Sequence, residues 1–363
     1  MLGLIITLPV LMNLSHFSAR SAEVVALENV YLSWAMVFGS MMILDSAASC
    51  YFGATGNTRL IFRASLAGQL VSMPMTYLLV FGYYGFPELG MAGSAIGTAL
   101  GSLTVLLVYL IHTPQALRMA ALNEVKALLG KSRKAVRVVS LFKRGLPLGA
   151  HDSADEIGNT AILWAISIIG ATALAANNFN VILNYIGIIP VIGIANGATI
   201  LASQAIGQNQ HERIVKIAAS SLLVALSYVA VVTVLLQTFD REITSFFSLG
   251  QYGPDIFELS ISVTSYIWCY AVAFAVSFIA SGLLQSFQQN TFVFKTRIVT
   301  MWCGSVPLAY LIAYNWSVKD GALEMIWISL STFELGLGVL FAIRLSACIR
   351  DQHTQGVTTT TAQ

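Results

Sequence analysis

Charge is what this chain has least of. Aspartate, glutamate, lysine and arginine make up 10% of its 363 residues, while hydrophobic residues reach 56%. A soluble domain carries about 25% charged residues, so an ordinary soluble globular protein is excluded. Strand-length alternation of polar and apolar residues is also missing, which excludes an outer-membrane barrel. Cysteines are few. Cys50, Cys269, Cys303 and Cys348 are too scattered for a disulfide framework or a thiolate metal site, and read as small apolar residues in helix packing. No phosphate-binding glycine loop, no HExxH and no nucleophile–base constellation occurs, and no soluble segment is large enough to hold a nucleotide. An ATP-driven pump in one chain, an enzyme, an organic cofactor and a metal centre are therefore not expected. The opening apolar stretch lacks a basic n-region and a small-residue cleavage site, so it does not read as a signal peptide.

What the chain has instead is long apolar runs. Stretches of about 17–25 such residues suffice to cross a bilayer as a helix. They occur at 1–17, 28–52, 60–84, 90–112, 145–170, 178–204, 213–237, 259–288, 292–314 and 322–347. The fold class is accordingly all-α, a polytopic membrane protein of about ten transmembrane helices. Placing the loop after the second run in the cytoplasm collects most of the basic residues there. They are Arg59, Arg63, Arg118, Lys126, Lys131, Arg133, Lys134, Arg137, Lys143, Arg144, Arg213, Lys216, Lys295, Arg297, Arg344 and Arg350. Only Arg20, Arg241 and Lys319 fall outside, which is 16 against 3 of the 19. The positive-inside rule thus predicts a plasma or inner-membrane protein with a cytoplasmic C-terminus. The net charge of +2 reflects this orientation and gives no ground for nucleic-acid binding.

Residues 113–144 interrupt the apolar pattern. Lysines and arginines alternate there with Leu, Ala and Val at helical spacing, as in an amphipathic linker lying on the bilayer surface. The predicted organisation is a four-helix N-terminal lobe (1–112), this linker (113–144), a six-helix C-terminal lobe (145–347) and a cytoplasmic tail (348–363).

The fifth run carries an unusual burden. Behind His151 come Asp152, Asp155 and Glu156. Carboxylates at membrane depth are costly and usually face a cavity or a partner. Asp152 and Glu156 are four apart and share a face, while Asp155 shares another edge with Asn159. Two readings stand: a helix end in the headgroups whose acids favour its N-terminus, or a cation or proton site open to water. Polar residues elsewhere in the spans are Asp45, Glu334, and the stripe Asn177, Asn180 and Asn184 at i, i+3 and i+7. Each either lines a cavity or hydrogen-bonds between helices. Tyr266 and Tyr270 suit the binding of amphipathic cations, or serve as packing.

Several motifs together resemble the multidrug and toxic compound extrusion (MATE) family. They are the turn Gly53-Ala54-Thr55-Gly56-Asn57-Thr58-Arg59, the helix opening Gly90-Met91-Ala92-Gly93-Ser94-Ala95-Ile96-Gly97-Thr98, and Gly145-Leu146-Pro147. Ile169-Gly170-Ala171-Thr172-Ala173-Leu174-Ala175-Ala176-Asn177 and Ser203-Gln204-Ala205-Ile206-Gly207-Gln208-Asn209 come next, in family order. The resemblance implies a twelve-helix, two-lobed transporter in which Met1 falls within the third helix, leaving four helices plus six. It also implies that Asp155, ten residues after Gly145, is the acidic residue used in cation coupling. Asp152 and Glu156 would share its proton or complete a Na⁺ shell. This chain departs from the family at Ser72 and Thr76, where a subgroup carries Asn and Asp, and has no carboxylate between Tyr266 and Leu284. A Na⁺ site would then need the hydroxyls of Tyr266 or Tyr270.

The expected function is export of organic cations or drugs, by a monomer in the bilayer, in exchange for H⁺ or Na⁺ through alternating access. The substrate cavity would comprise Asn177, Asn180, Asn184, Tyr266, Tyr270, Asp45 and Glu334. One alternative is a translocase of lipid-linked or polar metabolites from the same superfamily. It calls for basic residues inside the spans, and the sequence shows almost none. Another is a non-transporting truncated remnant.

Overall fold

The structure is a computed structural model that describes residues 22–115, 119, 153–208, 210, 212–248, 253–316, 318 and 321–360. The first expected span and most of the linker, with Asp152 and His151, lie outside the described residues. The chain forms two compact units, Met1–Lys134 and Ala135–Gln363.

In the first unit α1 (Ala22–Ala54), α2 (Thr58–Phe81) and α3 (Met91–His112) pack together, with α3 against both others. The α1–α2 turn closes through Gly56 at φ 80° and an Asn57 N–H to Phe52 carbonyl bond of 2.9 Å. Gly82, at φ 68°, ends α2 by donating to the Leu78 carbonyl, as left-handed helix caps do. The α2–α3 contact is set by glycine. Gly93, Gly97 and Gly101 recur every fourth residue, and a Cβ on them would lie 2.5 Å from the Leu79 oxygen, 2.2 Å from Thr76 Oγ1 and 2.6 Å from Ser72 Cβ. Apolar burial gives helices in lipid little reason to associate, so close backbone approach along small residues drives packing instead.

The second unit holds α4 (153–169), α5 (Ala171–Gly207), α6 (Glu212–Thr238), the short α7 (Asp240–Ser248), α8 (Pro254–Ser286), α9 (Asn290–Asn315) and α10 (Ala322–Thr360). Gly170 alone separates α4 from α5, at φ 145°, a backbone state that a side chain would strain. Helix α8 is the axis of the unit, packed on α5, α6 and α10. One apolar cluster joins Val191, Ala195, Ala225, Val229, Leu283 and Phe341; a second joins Ile166, Ala173, Ile267, Ala309, Leu323 and Trp327. Side chains that leave the bundle are themselves apolar, including Leu201, Leu223, Val231, Val234 and Ile343, as helices facing lipid require.

Seven described helices are long and apolar enough to span a membrane: α2, α3, α5, α6, α8, α9 and the 322–350 part of α10. With α1 and α4 they cover the second to tenth expected spans. The chain is a polytopic all-α membrane protein. Two boundaries differ from expectation. Helix α5 starts at Ala171 rather than 178, because the Ala-rich segment before the asparagines is itself helix-forming. Helix α10 runs on to Thr360, since no proline interrupts it.

Candidate functional site

Inside the second unit, α4, α8, α9 and α10 converge on a cavity of about 170 Å³ lined by Asp155, Asn159, Tyr270, Arg297, Ser305 and Glu334, with an apolar wall that includes Phe274 and Leu330. Its centre is a guanidinium held by two carboxylates. Arg297 Nε donates to Asp155 Oδ2 at 2.5 Å, and its Nη1 lies 3.4 Å from Glu334 Oε1. The same Glu334 oxygen accepts from the Ser277 hydroxyl. The three charged side chains are 20%, 14% and 9% exposed for Asp155, Arg297 and Glu334. Asp155 Oδ1 is buried and has no hydrogen-bond partner among the described residues.

Local structure explains how these groups meet. Asp155 lies near the described start of α4. One turn later Gly158 lets that helix approach α9, where a Cβ would sit 2.5 Å from Met301 Sδ. Arg297 lies seven residues beyond Asn290, about 10 Å along the helix at about 1.5 Å per residue. Just beyond it, Met301–Ser305 forms a π-helical turn, the kind of register change often found at functional sites. Gly338 brings α10 onto α8, with a would-be Cβ 3.0 Å from Val276 Cγ1 and 3.1 Å from the Ser277 nitrogen. Ser277 thereby reaches Glu334, one turn before Gly338.

The electrostatics reflect the groups present. Arginine keeps its proton in proteins, and a buried charge persists only when paired. With both carboxylates ionised the triad carries a net charge of −1. A further small cation about 4 Å from the guanidinium would meet a repulsion of about 4 kcal/mol from it at an effective dielectric of 20, set against an attraction of similar size from each ionised carboxylate at that distance.

The other expected residues distribute unevenly. Glu156 is exposed and does not line the cavity. Asn177, Asn180 and Asn184 are buried at 4%, 0% and 5% exposure, and none of them lines it. Asn177 accepts from Trp327 Nε1 at 3.2 Å, and Trp327 stands edge-on to Tyr270 with ring centroids 5.8 Å apart. Both amide atoms of Asn180 lack partners among the described residues. Tyr266 is 36% exposed and away from the cavity, whereas Tyr270 forms part of its wall. Asp45 belongs to the first unit. There it lines a pocket of about 310 Å³ with Ser49, Ser65, Gln69, Ser72 and Thr98, its Oδ1 also buried and unpartnered among the described residues.

Arg297 corrects the charge count along the sequence, which groups it with the cytoplasmic basic residues and finds almost no base inside a span. It is the internal cation of the site. The available signal is helical spacing: Arg297 lies one turn after Val293, which is 2% exposed, whereas neighbouring Lys295 is exposed. A linear count of loop charges does not register which face of a helix a residue occupies. Removing Arg297 from that count leaves the orientation bias intact.

The MatE family model matches residues 156–311, from Glu156 in α4 to Leu311 in α9. Over that stretch the chain is similar to the MATE family. Among its relatives, a probable multidrug resistance protein, YoeA of Bacillus subtilis, is 23% identical over 83% of the chain and 62% of its own length. A probable multidrug resistance protein NorM of Bacillus cereus is 23% identical over 84% of the chain and 66% of its own length. The chain thus spans just under two thirds of the length of these relatives. A MATE crystal structure in complex with MaL6 superposes with a TM-score of 0.78 at 15% identity, over 96% of this chain and 76% of that one. It supports the fold expected from the motifs.

Proposed function

We propose that this chain is a secondary transporter of the MATE family that exports organic cations or related amphipathic drugs in exchange for H⁺ or Na⁺, with Asp155 as the coupling carboxylate. The observation that carries this reading is the buried Asp155–Arg297–Glu334 triad beside a cavity, with Asp155 Oδ1 unpartnered among the described residues. A carboxylate with a vacant buried oxygen takes up a cation or proton and releases it when the site is rearranged. Names of relatives point the same way, being probable multidrug resistance proteins. Tyr270 and Phe274 give the cavity an aromatic wall suited to a cationic ligand. Asp45 offers a comparable carboxylate within the first unit.

The test is efflux of ethidium from cells lacking their own pumps. Wild type should export the dye, and Asp155→Asn at equal membrane expression should reduce export about tenfold or more. Unchanged efflux in the variant removes Asp155 from the coupling role.

A second reading has one observation in its favour. Translocation of polar or anionic metabolites calls for a base inside the membrane, and Arg297 supplies one. Two carboxylates already neutralise it, so the cation-export reading is preferred.

A further inference from the structure

Where α8 turns into α9, at one end of the second unit, an arginine is held in place by neutral partners. Arg344 of α10 donates through Nη2 to Gln289 Oε1 at 3.1 Å, and its guanidinium carbon lies 5.6 Å from the centroid of the Phe292 ring. Phe292 in turn stands edge-on to the buried Phe341 of α10, with ring centroids 6.2 Å apart. Lys295 comes three residues after Phe292 and shares its helix face. Both bases are exposed, and neither forms an ion pair among the described residues. No carboxylate occurs at 289–303 or 335–350. The acids nearest to Arg344 in sequence are Asp351 and Glu334, and Glu334 is held by Arg297. Arg297 thus has its counter-charges within the unit, whereas Arg344 and Lys295 look outward.

Beyond the two bases the same surface turns apolar. Val299 and Trp302 continue the Lys295 face along α9, and Leu340 lies one turn before Arg344 on α10; all three are exposed. Gly336, a further turn back, has open space where a Cβ would stand. Lys295 is five residues into α9, about 8 Å from the helix start, a depth from which its long stem reaches the headgroups. We propose that this seam between α9 and α10 binds one anionic phospholipid. Its phosphate sits on Arg344 and Lys295, and an acyl chain runs along Val299, Trp302 and Leu340. A guanidinium matches phosphate oxygens with its fork of N–H donors, and Gln289 takes only one of those of Arg344. By the positive-inside bias this end of the helices meets the cytoplasmic leaflet, the one rich in anionic lipid. Because Gln289 and Phe292 already fix the arginine, less side-chain freedom is lost on binding. The cavity around Asp155 is lined by neither base, so the lipid is a bound partner of the outer surface and not the exported molecule.

Native mass spectrometry of the purified full chain, titrated with dioleoyl phosphatidylglycerol or dioleoyl phosphatidylcholine, tests this independently of transport. A base beside an anionic lipid accounts for about fivefold in affinity. Wild type should therefore hold one phosphatidylglycerol about tenfold or more tightly than phosphatidylcholine. Arg344→Gln and Lys295→Gln should each lower that affinity about fivefold, and the double variant should lose the preference. Arg59→Gln, which removes a base from the start of α2, should keep it. Equal affinity of wild type for the two lipids overturns the proposal, as does a preference that survives in the double variant. A loss in Arg59→Gln equal to that in Arg344→Gln reports bulk attraction to anionic lipid and also overturns it. Should the double variant fail to fold, the single variants decide, and an undiminished preference in both overturns the proposal. Free glycerol 3-phosphate in equal amount should leave the lipid bound. If it displaces the lipid, the bases form a phosphate site without an acyl-chain seam, and the lipid assignment falls.

Discussion

Arg297 and Glu156 show how differently two charged residues in apolar helices are used. Arg297 is enclosed by two acids, so its loss leaves both carboxylates buried without a counter-charge. Breaking a buried pair in this way costs about 3–5 kcal/mol. Arg297→Met should therefore lower the thermal unfolding temperature in detergent by several degrees, whereas Glu156→Gln, at an exposed position, should leave it unchanged. Asn180 makes the opposite case. Both its amide atoms are buried and unpartnered among the described residues, and it lies away from the cavity lining. Replacing a buried unsatisfied polar group by an apolar one of similar size relieves a cost of about 1–3 kcal/mol. Asn180→Leu should raise the unfolding temperature and leave ethidium efflux intact. Loss of efflux with a preserved unfolding temperature would show instead that Asn180 contacts the transported molecule.

At the scale of the element, glycine spacing and one π turn decide which faces meet. On α3, a Cβ at Gly97 would lie 2.7 Å from Thr76 Cα and the same from its nitrogen, and backbone cannot yield as a side-chain tip does. Overpacking typically costs about 1–3 kcal/mol, so Gly97→Leu should separate α2 from α3 and lower the yield of folded protein, read by size-exclusion chromatography. The π turn of α9 makes a different prediction. Deleting Cys303 from Met301–Ser305 removes a residue from that register, rotating the C-terminal half of α9 by about 100° relative to its N-terminal half. Either Arg297 or the Val306–Asn315 packing surface must then leave its place. The variant should lose Asp155-dependent efflux even where it still inserts, as measured by membrane expression beside transport.

For the whole molecule, orientation is the property most open to test. The basic residues favour the α5–α6 turn in the cytoplasm and the α6–α7 turn outside. In a cysteine-free background, a cysteine at Gln210 should react with a membrane-impermeant maleimide only in inverted vesicles, and one at Asp240 only in intact cells. Labelling of both from one side would overturn this orientation. The all-helical class and the likeness to MATE proteins were legible in the sequence, because the bilayer demands long apolar runs and the motifs recur in order. Asp155 was legible too, as an acid where lipid tolerates few. Its partners were not. Arg297 lies 142 residues beyond it and Glu334 a further 37, and hydropathy carries no information on which helix faces which. Thus Arg297 reads as one more cytoplasmic base, and the asparagine stripe as either a cavity wall or a set of interhelical hydrogen bonds. The sequence by itself determined which segments are apolar enough to enter the membrane and what chemistry they carry there, because both depend only on the order of side chains along the chain. Only tertiary packing, through Gly158, Gly338 and the π turn, decided that two acids from distant helices share one arginine. Charge pairing at 2.5–3.4 Å is a property of helix faces in contact, and those are set by three-dimensional fit.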